Sequence, residues 1–502
     1  MVINITQYLE ETSVKFPNKI AFTDQQNSIT FSELRAKSRV LACEISRLIN
    51  YKTNQPVGIY MDKSVNCIVA FMAVAYSGNF YTPLDVSMAD IRLQKIIDKL
   101  EPSLIISDEN NISKSKQFLS PSINIDCQLQ QEEELGLISK IQRKMIDTDP
   151  LYVMFTSGST GIPKGVVISH RGVIDYTEWL FDTFNFSSDT IFGNQAPFYF
   201  DNSILDIYST IKNGCETNII PAGVFLFPKK LCKYLDDNNI NTIFWVPSAL
   251  VLVANSNALQ TLAPTKLKKI LFCGEVMPTK QLNIWRKTVA DALYANLYGP
   301  TEITDVCTYF IVDRELEDTE SLPIGFPCKN TAVLVLTDKE EEVKEGEIGE
   351  LCIRGTSLAH GYYANEEKTT LAFVQNPLND KYPEKIYRTG DLVKYNQNGE
   401  LIYAGRKDFQ IKHMGHRIEL GEIEAGANTF ATLEQSCALY DEEKQNIILF
   451  ASPETVDKNE LYKHLKTLLP MYMLPGLIVT MDGLPLNANG KIDRQYLKNL
   501  GR

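Results

Sequence analysis

The sequence predicts an α/β protein: a large N-terminal domain of layered, mostly parallel sheets with helices, a β-rich subdomain, and a small α+β C-terminal domain. Three observations predict it. Over roughly the first 300 residues, short β-rich runs alternate with amphipathic helical stretches, the pattern of parallel sheet covered by helices. From about Ala332 the texture changes to shorter β segments with turn signals, and a second α+β unit begins after Gly405. A chain of 502 residues also exceeds the usual domain of about 150 residues, so more than one domain is expected.

The elements follow in order. Thr30-Phe31-Ser32-Glu33 reads as a capping box, after which Leu34, Leu41, Ile45 and Leu48 recur at helical spacing. Pro56 to Met61 reads as a strand and Ser64 to Tyr76 as a buried helix. Further strands are expected at Leu104 to Ile106, Tyr152 to Phe155, Val166 to Ser169, Thr242 to Val246 and Ile270 to Cys273. Ala332 to Leu336 and Glu350 to Arg354 follow, with the acidic run Asp338 to Glu347 between them as a solvated turn. Gln128 to Glu134 is polar and reads as a surface connection.

Composition narrows the function. Hydrophobic residues at 44% and aromatics at 10% supply a large core, which excludes a disordered chain. Fifty basic against 62 acidic side chains give a net charge of -12, which argues against a general nucleic-acid binder. The longest strongly apolar run, Cys67 to Tyr76, is half of what a membrane helix of about 20 residues needs. No basic and apolar leader opens the chain. Ten scattered cysteines without a C-x-x-C pair fit reduced thiols in a cytoplasmic protein, and five histidines make a His/Cys metal cluster improbable.

The most informative stretch runs from Thr156 through Ser157, Gly158, Ser159, Thr160 and Gly161 to Lys164, directly after an apolar strand. Glycines free the backbone to present N–H groups, hydroxyls donate, and a lysine adds charge, which together make a cradle for polyphosphate. It is not a Walker A loop, because Pro163 and Gly165 flank the lysine. Standing alone it would be read first as a flexible Ser/Gly loop.

It does not stand alone. Ala75 to Asp85, Asn296 to Glu302, Gly349 to Tyr362, Tyr387 to Leu392, Gly405 to Glu424 and Asn489 to Arg494 resemble, in family order, the signature motifs of adenylate-forming ligases. That superfamily comprises acyl-CoA synthetases, luciferases and peptide-synthetase adenylation domains, and the resemblance covers nearly the whole chain. It implies a domain of residues 1–404 binding ATP and an acid, a hinge at 405–408 centred on Asp408, and a mobile domain of residues 409–502. It also implies ATP and Mg²⁺ as cofactors. The loop residues named above would then hold phosphates, with Gly274, Glu275, Asn296 and Gly299 also beside the nucleotide. Tyr298 would stack on adenine. Thr301 would donate to the α-phosphate, and Glu302 would be a hard oxygen ligand for Mg²⁺. Asp391 would accept the ribose hydroxyls beside Arg406. Lys491 would be the catalytic cation, bridging two anions as the carboxylate attacks. In a second, thioester-forming state the segment around Lys412 to Gly415 would replace it, Gly415 leaving room for a pantetheine arm.

Phe200-Asp201-Asn202-Ser203 resembles the element of amino-acid-activating members, in which Asp201 would pair with a substrate ammonium. Asn202, Leu205, Trp245, Leu271, Cys273, Leu297, Asp305 and Val306 are the other pocket candidates, and the bulk of Trp245 favours a small side chain. Phe272 to Val276 and Asp206-Ile207-Tyr208 are similar to D-alanine–carrier protein ligases. Where those ligases carry an aliphatic residue against the alanine methyl, this chain has Asp305. A carboxylate facing a methyl would be costly. Either Asp305 points elsewhere or the substrate is serine or another small polar amino acid rather than D-alanine. Because the chain ends soon after Arg494, a free-standing ligase is expected. Its acceptor would be the phosphopantetheine thiol of a separate carrier protein, with coenzyme A second, as in an acyl- or aryl-CoA synthetase. A net charge of -12 gives no long-range steering towards an acidic carrier.

Overall fold

A computed structural model describes residues 2–129, 132–158, 163–407, 410–486 and 492–500. The chain divides into two compact units. One holds 1–86, 101–154 and 165–407; the other holds 87–100, 155–164 and 408–502.

In the larger unit, six parallel strands form the middle of a nine-stranded sheet. Ile20–Thr23, Glu216–Ile219, Ile191–Asn194, Thr242–Trp245, Lys269–Phe272 and Leu293–Tyr298 lie side by side in that order. Antiparallel strands close both edges, Ser28–Thr30 at one and Thr308–Ile311 with Phe326–Pro327 at the other. A seven-stranded sheet is built around Pro56–Tyr60, which pairs in parallel with Phe80–Leu84 and Leu104–Ser107. The five-stranded sheet of Thr331–Leu336, Gly349–Gly355, Phe373–Gln375, Lys385–Tyr395 and Leu401–Arg406 is antiparallel. Parallel strands buried on both faces explain the near-continuous apolar runs read from the sequence.

The expected elements recur with their ends shifted by a residue or two. The capping box at Thr30 is complete, with Glu33 reaching back to the Thr30 N–H, and it starts the helix Phe31–Leu48. Val65–Tyr76 is a helix buried on all sides. The acidic segment after Asp338 is solvent-exposed as expected. The connection near Gln128 is less loose than its polarity suggests, because Glu133 pairs with Arg39 at 2.6 Å.

In the smaller unit, Gln410–His413 and His416–Glu419 form a hairpin. Gln435–Asp441, Asn446–Ser452 and Leu477–Thr480 form a three-stranded sheet, against which Leu420–Ala427 and Lys458–Leu468 bury a core of Ile423, Leu461, Leu465 and Met473. Arg92, on the helix Asp90–Leu100, is almost fully buried and paired with Glu422 in this same unit. Among the described residues no helix is long and apolar enough to cross a membrane.

His170 opens the helix His170–Phe184 and is fully buried, with Nδ1 accepting the Ile5 N–H at 3.2 Å. Burial pushes its pKa down to about 3. With the folded value below the ordinary value of about 6.5, His170 contributes stability above that pH and loses it as pH falls through the folded value. His170→Asn keeps an acceptor but does not titrate. Its urea midpoint should therefore fall less steeply than that of the parent between pH 6.5 and 4, followed by circular dichroism.

Candidate active site

The site assembles where the parallel strands of the larger unit end. Leu293–Tyr298 runs into Gly299-Pro300 and a single 3₁₀ turn, Thr301–Ile303. Thr304 and Asp305 then both take left-handed backbone angles, φ 63° and 72°. Two consecutive non-glycine residues there cost on the order of 1 kcal/mol each, and such strain persists only where the surroundings enforce it. They do so here. Thr304 Oγ1 donates to the Ser357 carbonyl at 2.8 Å, and a Cβ on Gly299 would lie 2.3 Å from the Asp305 carbonyl. Only glycine at 299 lets the turn close.

Three carboxylates are buried around this turn, and each meets a tyrosine hydroxyl. Glu302, with no exposed surface, accepts from Tyr362 at 2.7 Å. Asp305, 1% exposed, accepts from Tyr176 at 2.6 Å. Asp391, 2% exposed, accepts from Tyr298 and also from Arg406 at 2.6 Å. Arg406 donates its other terminal nitrogen to the Thr389 carbonyl at 3.2 Å. Burial, then the neighbouring carboxylate, holds Tyr176 and Tyr298 well above the ordinary phenol range, so both remain neutral donors.

Asp201, beside Asn202 and the helix Ser203–Asn213, is almost fully buried. Leu205, Leu271, Cys273, Leu297 and Val306 are all buried in one core cluster, which also contains Tyr152 and Tyr176. Burial raises the Tyr152 phenol, with the charges of Asp201 and Asp305 adding to it, so both aspartates bear on one ring. Gly274 faces Asn202 Nδ2, and Glu275 accepts the Ser248 N–H at 2.8 Å. Asn296 donates to the Pro323 carbonyl at 2.7 Å.

Trp245 does not join this group. On paired strands its neighbour is Phe272, whereas Phe244 pairs with Leu271. Alternation along the strand turns Trp245 to the other face, into a separate core cluster, where it packs on Phe225 and donates to the Gly193 carbonyl at 2.7 Å. Its bulk therefore fills core space away from Leu271 and does not shorten the same pocket. Asp305, for its part, is not left without a partner, since Tyr176 donates to it.

Thr156, Ser157, Gly158 and Lys164 belong to the smaller unit. There Ser157 donates to the Arg417 carbonyl at 2.6 Å, Lys164 lies 3.7 Å from Glu419, and Thr156 reaches the Lys164 carbonyl at 3.4 Å. Met414 and Gly415, φ 52° and 80°, form the two-residue turn of the 410–419 hairpin. Glycine at 415 thus has a local conformational reason. Ser159, Thr160, Gly161, Asp408 and Lys491 lie outside the described residues.

Sequence reasoning missed Tyr176, Tyr362 and the Lys63–Asp206 couple. Burial holds Lys63 down to about 7 and Asp206 up to about 7, each opposed by the other's charge. Asn194 donates to Asp206 at 2.7 Å. No spacing rule links partners this far apart in the chain. Among the described residues no group of three His, Cys, Asp or Glu side chains could hold a metal ion by itself.

Removing Arg406 strips Asp391 of a charged partner inside the fold, which costs about 3 kcal/mol by analogy with broken buried pairs. Arg406→Ala should lower the urea unfolding midpoint accordingly, and the Arg406→Ala/Asp391→Ala double variant should recover part of the loss.

The comparisons with known proteins agree with one another. Residues 9–363 match the family model described as AMP-binding enzyme. The chain is 32% identical to zwittermicin A synthase ZmaJ of Bacillus cereus, over 99% of this chain and 95% of that one. It is 31% identical to the D-alanine–D-alanyl carrier protein ligase of Bacillus licheniformis, over 96% of each. It is also 32% identical to tyrocidine synthase 3 of Brevibacillus parabrevis, where 98% of this chain spans only 8% of that protein's length. The fold matches the Vibrio cholerae adenylation domain AlmE, solved in complex with glycyl-adenosine-5'-phosphate, with a TM-score of 0.85 at 20% identity over 100% and 98% of the two chains. The chain belongs to the AMP-binding enzyme family and is an adenylate-forming ligase of the adenylation-domain type.

Proposed function

We propose that this enzyme activates a small amino acid with ATP and passes it to the phosphopantetheine thiol of a separate carrier protein. In the first half-reaction the amino-acid carboxylate attacks the α-phosphorus, the bond to pyrophosphate breaks, and aminoacyl-AMP forms. In the second the thiol attacks the acyl carbonyl, and AMP leaves as the thioester forms. The observation that carries the reading is Asp201, an almost fully buried carboxylate in the Phe-Asp-x-Ser element whose charge acts on the Tyr152 ring, where an α-ammonium would meet it. The names of the relatives, a carrier protein ligase among them, support it. The coenzyme A alternative gains nothing from them.

The roles follow the chemistry of the side chains. Asp391, held by Tyr298 and Arg406, accepts the ribose hydroxyls. Thr301 donates to the α-phosphate, and Glu302 suits Mg²⁺ because it is a hard oxygen donor that Tyr362 orients. Mg²⁺, when bound, neutralises phosphate charge. Lys491 stabilises the charge that builds between two anions. Asp408 serves as the hinge between the domains of residues 1–404 and 409–502, and the enzyme works in the cytoplasm.

A pyrophosphate-exchange screen across D- and L-amino acids, fatty acids and aryl acids tests the reading, which fails if only non-amino acids support exchange. Lys491→Ala should abolish amino-acid-dependent exchange yet retain thioester formation from supplied aminoacyl-AMP. Asp201→Ala should raise KM for every α-amino acid at least about tenfold, the worth of a lost charged hydrogen bond. Unchanged kinetics would remove Asp201 from recognition.

A further inference from the structure

Against a mostly apolar core, the buried polar pair Tyr176–Asp305 needs a reason. Tyr176 comes from the helix His170–Phe184 and Asp305 from the turn after Gly299, a separation of 129 residues closed by one hydrogen bond of 2.6 Å. Phenylalanine at 176 and an aliphatic residue at 305 would fill the same volume and spare the desolvation of a carboxylate and a phenol. The surroundings favour such a filling: Tyr176 belongs to the large apolar core cluster, as does Val306 next to Asp305 in the chain. The carboxylate is also fixed from both ends. Its backbone is pinned in the left-handed region against Gly299, and its Oδ2 is held by Tyr176.

Two further polar atoms are buried without a hydrogen-bond partner, the Tyr152 hydroxyl and Asn202 Nδ2. The Tyr152 ring feels both Asp201 and Asp305, and Asn202 adjoins Asp201 in the chain. Buried orphans of this kind are uncommon in native proteins and mark a place where something else supplies the partner. A short polar side chain reaching from an α-carbon anchored at Asp201 towards Asp305 would do so.

We propose that Tyr176 is a specificity-positioning residue, its hydroxyl aiming the Asp305 carboxylate at a substrate side chain that donates a hydrogen bond. This rests on the amino-acid reading above and narrows it. Asp305 is an acceptor, Asn202 Nδ2 a donor, and the Tyr152 hydroxyl either. A hydroxyl or a short side-chain ammonium can donate to Asp305; a methyl offers nothing. A site built around such a donor rejects the analogue lacking it far more strongly than an apolar pocket rejects one extra group.

The test measures pyrophosphate-exchange kcat and KM for serine, 2,3-diaminopropionate and alanine, in both stereoisomers, with the full-length enzyme. Tyr176→Phe, Asp305→Val and the double variant are compared with the parent. Melting temperatures check that each folds; the phenylalanine ring keeps the packing. The parent should prefer a donor-bearing amino acid, with serine or the diamino acid leading according to whether a hydroxyl or an ammonium is read. Tyr176→Phe should cut that preference over alanine at least about tenfold, mainly through KM, as expected for a lost hydrogen bond to a charged group. The double variant should be no worse than Asp305→Val, because Tyr176 acts through Asp305. A preference unchanged by Tyr176→Phe, or an equal loss for all substrates with a lower melting temperature, overturns the proposal and leaves amino-acid activation standing. Absence of exchange with every amino acid overturns both.

Discussion

The larger unit depends on making buried carboxylates tolerable. Asp206, Glu302, Asp305 and Asp391 are all nearly inaccessible to solvent. Each meets a placed donor: Asn194 for Asp206, Tyr362 for Glu302, Tyr176 for Asp305, and Tyr298 with Arg406 for Asp391. Three of these sets rely on a phenol. A phenol supplies a hydrogen bond and an apolar body in one side chain, so it can sit in a core that an arginine could enter only at a desolvation cost. The strained turn at Thr304 and Asp305, the close approach at Gly299 and the strand pairing of Asp391 with Arg406 serve the same end, holding acceptors still.

Much of this fold was legible in the sequence, because the signals were local. The capping box at Thr30 and the helix it starts are written in spacings of three and four residues, and the mostly apolar helix Val65–Tyr76 and the parallel strands in apolar runs. The motif around Tyr298 and Glu302 was equally legible, since its residues are contiguous. What escaped were pairings that topology alone creates. Tyr176 and Asp305 share no periodicity, nor do Tyr362 and Glu302. The face of Trp245 escaped for a related reason. Whether a strand residue points to one side or the other depends on register, and a strand such as Thr242–Trp245, buried at every position, carries no alternation of burial from which to read it.

The smaller unit makes the same point about boundaries. Composition places a division near Gly405, and the chain does form a separate core beyond it. Yet the unit also takes in 87–100 and 155–164, because Arg92 pairs with Glu422 and Ser157 with the Arg417 carbonyl. Neither contact has a sequence signature. Gly415 has a local reason to be glycine, since the tight hairpin turn places it at positive φ.

Family membership fixes the adenylating chemistry and leaves the choice of acid to the pocket, where the constraints are of unequal stiffness. Volume alone discriminates weakly, by about 1–3 kcal/mol per methylene. A buried acceptor discriminates more sharply, because leaving it unpaired is penalised in full while pairing it gains only a little. Behind the wall, Asp206 lies on the same helix as the residues that follow Asp201, and it is tied to the strand Ile191–Asn194 by the Asn194 amide. Lys63 adds donors to the Asn194 and Gln195 carbonyls at 3.4 and 3.2 Å. The helix that presents Asp201 is thus braced by polar contacts on the side away from solvent. On the reading proposed above, an anchor at Asp201 and an acceptor at Asp305 that are both held rigid would measure the distance between two polar ends of a ligand, and that measurement, more than shape, would separate one small amino acid from another.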